Sequence, residues 1–256
     1  MTRRRFTTQV RRARNALAAE RERTVAERNA FRAFERRIAG LSPQRLDGGS
    51  PTGFARSLSR ASSRSALDRV RDAYRETVVA LAHYDEEYGE PLLENLGAEF
   101  GEEIGAAVAG SGVFTAELKT ALCSGARDAA SRRATFLGVL DEEREALDDA
   151  ARELRDVGDA AAALAVDDTS FTSLRDTRDD LCELCGHCEA LVADRQETLR
   201  APRAGGRWRT DEDLSLNEYL YDALDVTYPV LADASDAAAT LREQRRQIER
   251  ALTRTV

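Results

Sequence analysis

Residues 122–164 read LCSGARDAASRRATFLGVLDEEREALDDAARELRDVGDAAAAL. Leu122, Ala126, Ala129, Arg133, Phe136, Leu140, Glu143, Leu147, Ala150, Leu154, Val157, Ala161 and Leu164 follow one another in steps of four and three. Only Arg133 and Glu143 interrupt the apolar pattern. A repeat of this kind keeps one stripe facing a partner helix, so the stretch is predicted to be one strand of a coiled-coil-like helical pair. At 1.5 Å per residue it spans about 60 Å, too long for the core of a compact globule.

The rest of the composition agrees with long helices and narrow seams. Of 256 residues, 42% are hydrophobic, many of them alanine; 6% are aromatic and 33% charged. Val, Ile and Thr nowhere alternate with polar residues over a strand length, so no sheet is expected. The predicted fold is all-α and elongated, with a long antiparallel helical hairpin at about 115–200. Of the 38 basic residues all but Lys119 are arginine, and acids exceed bases by eight. An acidic, lysine-poor chain is similar to the proteins of salt-in halophiles, where a hydrated acidic surface maintains solubility. A GC-rich genome alone would favour Arg over Lys, so this reading needs the acidity as well. No apolar run approaches the roughly 18 residues of a membrane span, and no apolar segment follows the basic N-terminus as in a secretory signal. The expected setting is the cytoplasm, with no membrane partner and with the cysteines reduced.

Outward from the central run, residues 4–40 are predicted to be a first long helix. Its stripe is Phe6, Val10, Ala13, Leu17, then Phe31, Phe34, Ile38 and Leu41, with a polar centre at Glu20, Thr24 and Glu27 that sets register or partner choice. Pro43, Gly48, Gly49, Pro51 and Gly53 make 41–65 a Ser/Pro/Gly-rich linker. The remainder, 66–256, is an acidic helical body. Its helices are expected at Ser65–Ala82, from Pro91 to Gly110 as one element, from the Thr115 cap through the central run, at about 171–199, at 214–224, and from Thr227 and Pro229 to the end. Gly138, Gly158 and Gly186 each cost a helix about 1 kcal/mol and are possible kinks.

Charge is split unevenly. Residues 1–64 hold 16 arginines against Glu20, Glu22, Glu27, Glu35 and Asp47, a net of +11, leaving −19 on the remainder. Three readings follow: arginines paired with the chain's own acids, a nucleic-acid arm, or a protein partner or self-association surface. Phosphate contacts weaken steeply in salt, which counts against the second in a halophile.

Cys182-Glu-Leu-Cys185-Gly186-His187-Cys188 is the one stretch that resembles chemistry. Its last four letters match the active-site motif of protein disulfide isomerases. Those enzymes place the motif at a helix N-terminus after a strand, where the dipole stabilises a thiolate; here it falls well inside a predicted helix. Zinc is a second reading, with Cys182, Cys185, Cys188 and His187 as ligands of the right type. One straight helix cannot wrap four ligands around an ion, so Gly186 would have to break it or Cys123 contribute. The third reading is packing: Leu174, Leu181, Leu184, Cys188 and Leu191, or Phe171, Leu174, Leu181, Cys185, Cys188, Val192 and Leu199, form possible seams, with reduced cysteine as a small hydrophobe. Cys182 fits neither seam. His83 with Asp85, Glu86, Glu87 and Glu90 lacks a metal or acid–base spacing and is expected to be a helix connection with Tyr84 and Tyr88 inward. Trp208 is expected to anchor its glycine-rich loop.

Ala19–Phe34 (AERERTVAERNAFRAF), Val70–Phe100 (VRDAYRETVVALAHYDEEYGEPLLENLGAEF) and Tyr219–Leu231 (YLYDALDVTYPVL) resemble an uncharacterised haloarchaeal family, a domain of unknown function of about this length. HYDEEYGEP is the most specific part. The resemblance implies an all-helical fold and supports the halophile reading. It brings no activity, ligand or catalytic residue, and the cysteine cluster is not among its hallmarks. The expected function is therefore a non-enzymatic helical interaction or assembly protein. The alternatives are a thiol-based metal or redox sensor at 182–188 and a nucleic-acid-associated regulator acting through the N-terminal helix.

Overall fold

The computed structural model describes residues 6–44, 65–84, 89–164, 170–200 and 215–255. Most of the expected linker, the acidic run from Asp85 to Tyr88, the turn at 165–169 and the Trp208 loop lie outside the described residues. The described residues form eight α-helices and no strand: α1 Thr8–Ala39, α2 Ala66–Tyr74, α3 Leu92–Phe100, α4 Glu102–Ala109, α5 Ala116–Ala163, α6 Phe171–Arg200, α7 Leu216–Tyr221 and α8 Pro229–Thr255. The central run is α5, unbroken through Gly138 and Gly158, and α6 is unbroken through Gly186. None of these glycines breaks its helix, because tertiary packing outweighs a propensity cost of about 1 kcal/mol per glycine. None of the described helices is long and apolar enough to cross a membrane.

The chain divides into two compact units, Met1–Glu20 with Gly138–Val256, and Arg21–Leu137. This division follows packing, whereas a split at 1–40, 41–65 and 66–256 follows charge and helix breakers.

In the unit Arg21–Leu137, α1 and α5 run antiparallel. Lys119, the sole lysine, donates to the carbonyls of Ala39 (2.7 Å) and Leu41 (2.8 Å), satisfying acceptors at the end of α1. Thr115 caps α5 as expected, accepting from the Leu118 N–H at 3.2 Å. The few aromatics gather here: Phe34 meets Tyr74 edge-on with centroids 5.1 Å apart, and Phe100 lies 5.7 Å from Phe34 and 6.0 Å from Tyr74. The buried Tyr74 hydroxyl donates to Asn95 at 2.6 Å.

Two expectations fail in this unit. The helix expected through Ala82 is α-helical only to Tyr74 and continues as a π-helical turn over Arg75–Val79. Thr77, Val78 and Val79 are β-branched, and the Thr77 hydroxyl bonds back to the Ala73 carbonyl at 2.7 Å, both of which disfavour regular continuation. The helix expected from Pro91 to Gly110 is two helices with a corner at Gly101, whose φ of 99° is one that side chains rarely adopt. The corner folds α4 onto α3 so tightly that a Cβ on Gly105 would sit 2.8 Å from the Gly97 Cα. Arg71 closes α4 by donating to the carbonyls of Val108, Ala109 and Gly110 at 2.8, 3.1 and 2.6 Å.

In the other unit, the buried α5 residues Leu140, Leu147, Ala150, Leu154 and Val157 belong to the expected stripe. α5 and α6 form the antiparallel hairpin, and α8 packs on α6. The two sequence seams of α6 merge, since Leu174, Leu181, Leu184, Cys185 and Cys188 are all buried; Phe171, placed in a seam by its spacing, is exposed at the helix start. Glu143 interrupts the stripe for a reason. It is 1% exposed and accepts at Oε1 from Arg195 of α6 (2.5 Å) and from the Tyr221 hydroxyl of α7 (2.8 Å). Asp233 of α8, also 1% exposed, accepts from the Val10 N–H at 2.8 Å and thereby caps α1 from 223 residues away. Burial pushes its carboxyl up, against backbone N–H bonds that hold it down.

These contacts can be tested by substitution. A Cβ on Gly125 would run into the Phe100 ring, whereas one on Gly138 meets nothing within 4 Å. Gly138→Ala should therefore stabilise by about 1 kcal/mol, while Gly125→Ala, overpacked by about 1–3 kcal/mol, should lose stability despite the same gain in propensity. Urea titration followed by circular dichroism distinguishes them, and stabilisation by Gly125→Ala would contradict the close approach. For the buried pair, Glu143→Ala strands a charged Arg195 and should cost about 3–5 kcal/mol. Glu143→Leu combined with Arg195→Met should recover most of that loss, which a double-mutant cycle measures.

Candidate functional site

The cysteine cluster lies in the middle of α6, where helical hydrogen bonds occupy the backbone N–H groups and no free helix end is available to stabilise a thiolate. At about 100° per residue, Cys182, Cys185 and Cys188 follow one another about 60° apart on one side of the helix, and His187 lies about 100° away from Cys188. Cys182 is exposed, its Sγ 3.6 Å from Nη1 of Arg245 on α8. Cys185 is buried, and burial pushes its thiol up more than Arg245 and Arg242 draw it down. Cys188 is buried and pushed up to about 11, first by burial and then by Cys185. His187 is exposed. Cys123, in the Arg21–Leu137 unit, is buried and its thiol is likewise raised by burial. All four cysteines are free thiols.

This arrangement bears on the zinc reading. Gly186 does not break the helix, and among the described residues no group of three or more His, Cys, Asp or Glu side chains is placed to hold a metal ion. Cys185 and Cys188 are buried as small apolar side chains.

The other histidine, His83, meets a residue far upstream: its Nε2 lies 3.3 Å from Glu27 Oε1. Arg133 Nε donates to Glu27 Oε2 at 3.0 Å, Arg133 also grips Glu99 through both terminal nitrogens, and Arg132 donates to Glu99 at 2.9 Å. The Arg133 guanidinium stacks 4.6 Å from the Phe31 ring centroid. Here two carboxylates meet two guanidiniums, with the imidazole at the edge. Sequence reading passed over Glu27, Glu99 and Arg133 as a cluster. Its available signal was that Glu27 and Arg133 both occupy stripe positions.

The more open feature is a groove between α5 and α6. It measures about 430 Å³; Leu154, Val157, Leu184 and Cys188 at its floor are themselves buried, and Leu191 is partly so. Glu153 and Asp156 stand on the α5 wall, and His187 and Asp194 on the α6 wall. Thus His187 and Cys188 of the cluster meet at the groove, whereas Cys182 faces Arg245.

The burial pattern predicts thiol reactivity. Iodoacetamide should modify native protein at Cys182 alone within minutes, with Cys123, Cys185 and Cys188 labelled only after denaturation. Peptide mass spectrometry reads the sites, and native labelling of Cys188 at the rate of Cys182 would contradict the packing assignment.

No curated protein and no solved structure matches the chain. A family profile covers residues 8–245, nearly the whole of the described structure. The chain belongs to that family, described as a domain of unknown function, DUF7260.

Proposed function

We propose that the chain is a non-enzymatic helical interaction or assembly protein, working in the cytoplasm of a halophile. The observation that carries this reading is the architecture itself: long heptad-patterned helices, 32 residues in α1 and 48 in α5, of the kind through which helical proteins associate. The acidic surface and the near absence of lysine support the halophile setting.

The basic N-terminal helix fits the same reading without nucleic acid. Arg12 pairs with Asp225 and Arg14 with Asp148, each at 2.6 Å; in the other unit Arg37 pairs with Glu76 at 2.5 Å. Arginines engaged by the chain's own carboxylates leave fewer for phosphates.

The test is light scattering and cross-linking of tagged full-length protein, purified from its host in multimolar KCl. The expected result is a species larger than the 28.2 kDa chain, through self-association or a partner in fixed ratio. A bare monomer would overturn the reading. Zinc in fixed ratio would favour the thiol sensor instead, and co-purified nucleic acid the regulator.

A further inference from the structure

We propose that the outer face of the α3–α4 pair is the docking site for the chain's own segment 45–64, which seats Phe54 and Leu58 on an apolar floor and sets Arg56 and Arg60 against an acidic rim. The face is open. Among the described residues four large apolar side chains are exposed, and two of them, Leu93 (38%) and Val113 (39%), stand at the start of α3 and just beyond the end of α4. Between the two helices runs a groove of about 490 Å³, along which Ala98, Ala106 and Ala109 are exposed. A Cβ on Gly97, also in its lining, would meet nothing within 4 Å. The apolar surface here is accessible to an occupant, because the packing of α4 on α3 does not consume it.

Both ends of the segment are tied beside this face. Upstream, the Gln44 N–H donates to the carbonyl of Phe114, five residues beyond α4, at 2.8 Å. Downstream, Ser65 caps α2 through Asp68, Asp68 pairs with Arg71 at 2.8 Å, and Arg71 donates to the carbonyl of Ala109, a groove residue, at 3.1 Å. Phe54 is ten residues from Gln44 and eleven from Ser65. Ten residues reach at most about 33–36 Å, ample for a groove along an α3 about 13 Å long. A stretch of this length, held at both ends, is present at the groove at a concentration on the order of millimolar. An outside occupant has to compete with it.

Chemistry selects the same segment. Glu90, Glu94 and Glu102 line the groove and make no ion pair with any described residue, whereas Glu99 of α3 is engaged by Arg132 and Arg133. Segment 45–64 holds four arginines against Asp47, a net of +3, in a chain whose residues from 65 onward are acidic. Phe54 and Leu58 are four apart, and so are Arg56 and Arg60. At helical spacing the two pairs fall on opposite sides, one for the floor and one for the rim. The contact is intramolecular, so it is independent of whether the chain assembles.

The experiment uses full-length protein at the lowest salt that preserves its native helix content, with a benzophenone side chain in place of Phe54. An equal mixture of ordinary and isotopically heavy protein is irradiated, and peptide mass spectrometry reads where each crosslink falls and whether it lies within one chain. Crosslinks should fall within 90–113 and join peptides of the same isotope label. Glu94→Arg with Glu102→Arg should cut their yield at least fivefold, and adding Arg56→Glu with Arg60→Glu should restore most of it; circular dichroism checks that each variant is folded. Without any label, trypsin should cut the native protein after Arg56 and Arg60 at least tenfold more slowly than it cuts the Phe54→Ser, Leu58→Ser variant. Crosslinks elsewhere, crosslinks between light and heavy chains, a yield indifferent to charge reversal, or equal cleavage of parent and variant would each overturn the assignment.

Discussion

Two charged side chains on the apolar stripe of α5, Arg133 and Glu143, fix its register against the helices they are bonded to. A stripe rich in alanine buries little area per residue and packs almost equally well after a shift of one repeat. A buried charge has no such tolerance. Glu143, nearly inaccessible to water, requires donors at defined positions, and it finds them in Arg195 and Tyr221. Arg133 requires acceptors and finds Glu27 and Glu99. In each unit one residue of α5 is thus bonded to two other helices. The net stabilisation from such buried pairs is small, because desolvation offsets most of the Coulomb attraction. Their effect is on register: a heptad slip would leave a charge unpaired, at a cost far above what shifted alanines lose.

Glycine does the complementary work where backbone or rings must come close. The α3–α4 corner depends on Gly101 for its positive φ and on Gly97 and Gly105 for the approach of the two helices. Gly125 leaves room on α5 for the Phe100 ring, which α3 carries into the aromatic cluster. Such positions read in a sequence as helix defects. Here they let an alanine-rich protein with few aromatics bring Phe31, Phe34, Tyr74 and Phe100 into one core.

The helices were legible from periodicity and caps: the long central element, the Thr115 cap, the hairpin, and the short helix before Pro229. Local chemistry specifies these features, and local chemistry is what a sequence displays. The corner at Gly101 was not legible, because a glycine in a helical pattern looks the same whether or not the chain turns there. The two ionic networks were half legible. Arg133 and Glu143 stood out as interruptions, but Glu99, Arg195 and Tyr221 follow no pattern that links them to α5. The cysteine cluster is the reverse case. A dense run of ligand types attracts attention in a sequence, yet on one regular helix Cys185 and Cys188 turn into the core while Cys182 and His187 stay exposed.

In a chain with eight more acids than bases, unpaired carboxylates must occur somewhere, so their existence alone carries no information. Their surroundings do. A carboxylate on a fully hydrated face keeps its water whatever approaches, and its attraction for a partner is screened. Beside apolar walls, an arriving helix displaces that water, and the local dielectric falls as it docks. A basic side chain in the partner then gains from a stronger pair, while an acidic one is left desolvated beside like charge. Around the α5–α6 groove the apolar lining is already buried by the two helices, with Leu154 and Cys188 0% and 1% exposed, so Glu153, Asp156 and Asp194 stand on a hydrated rim.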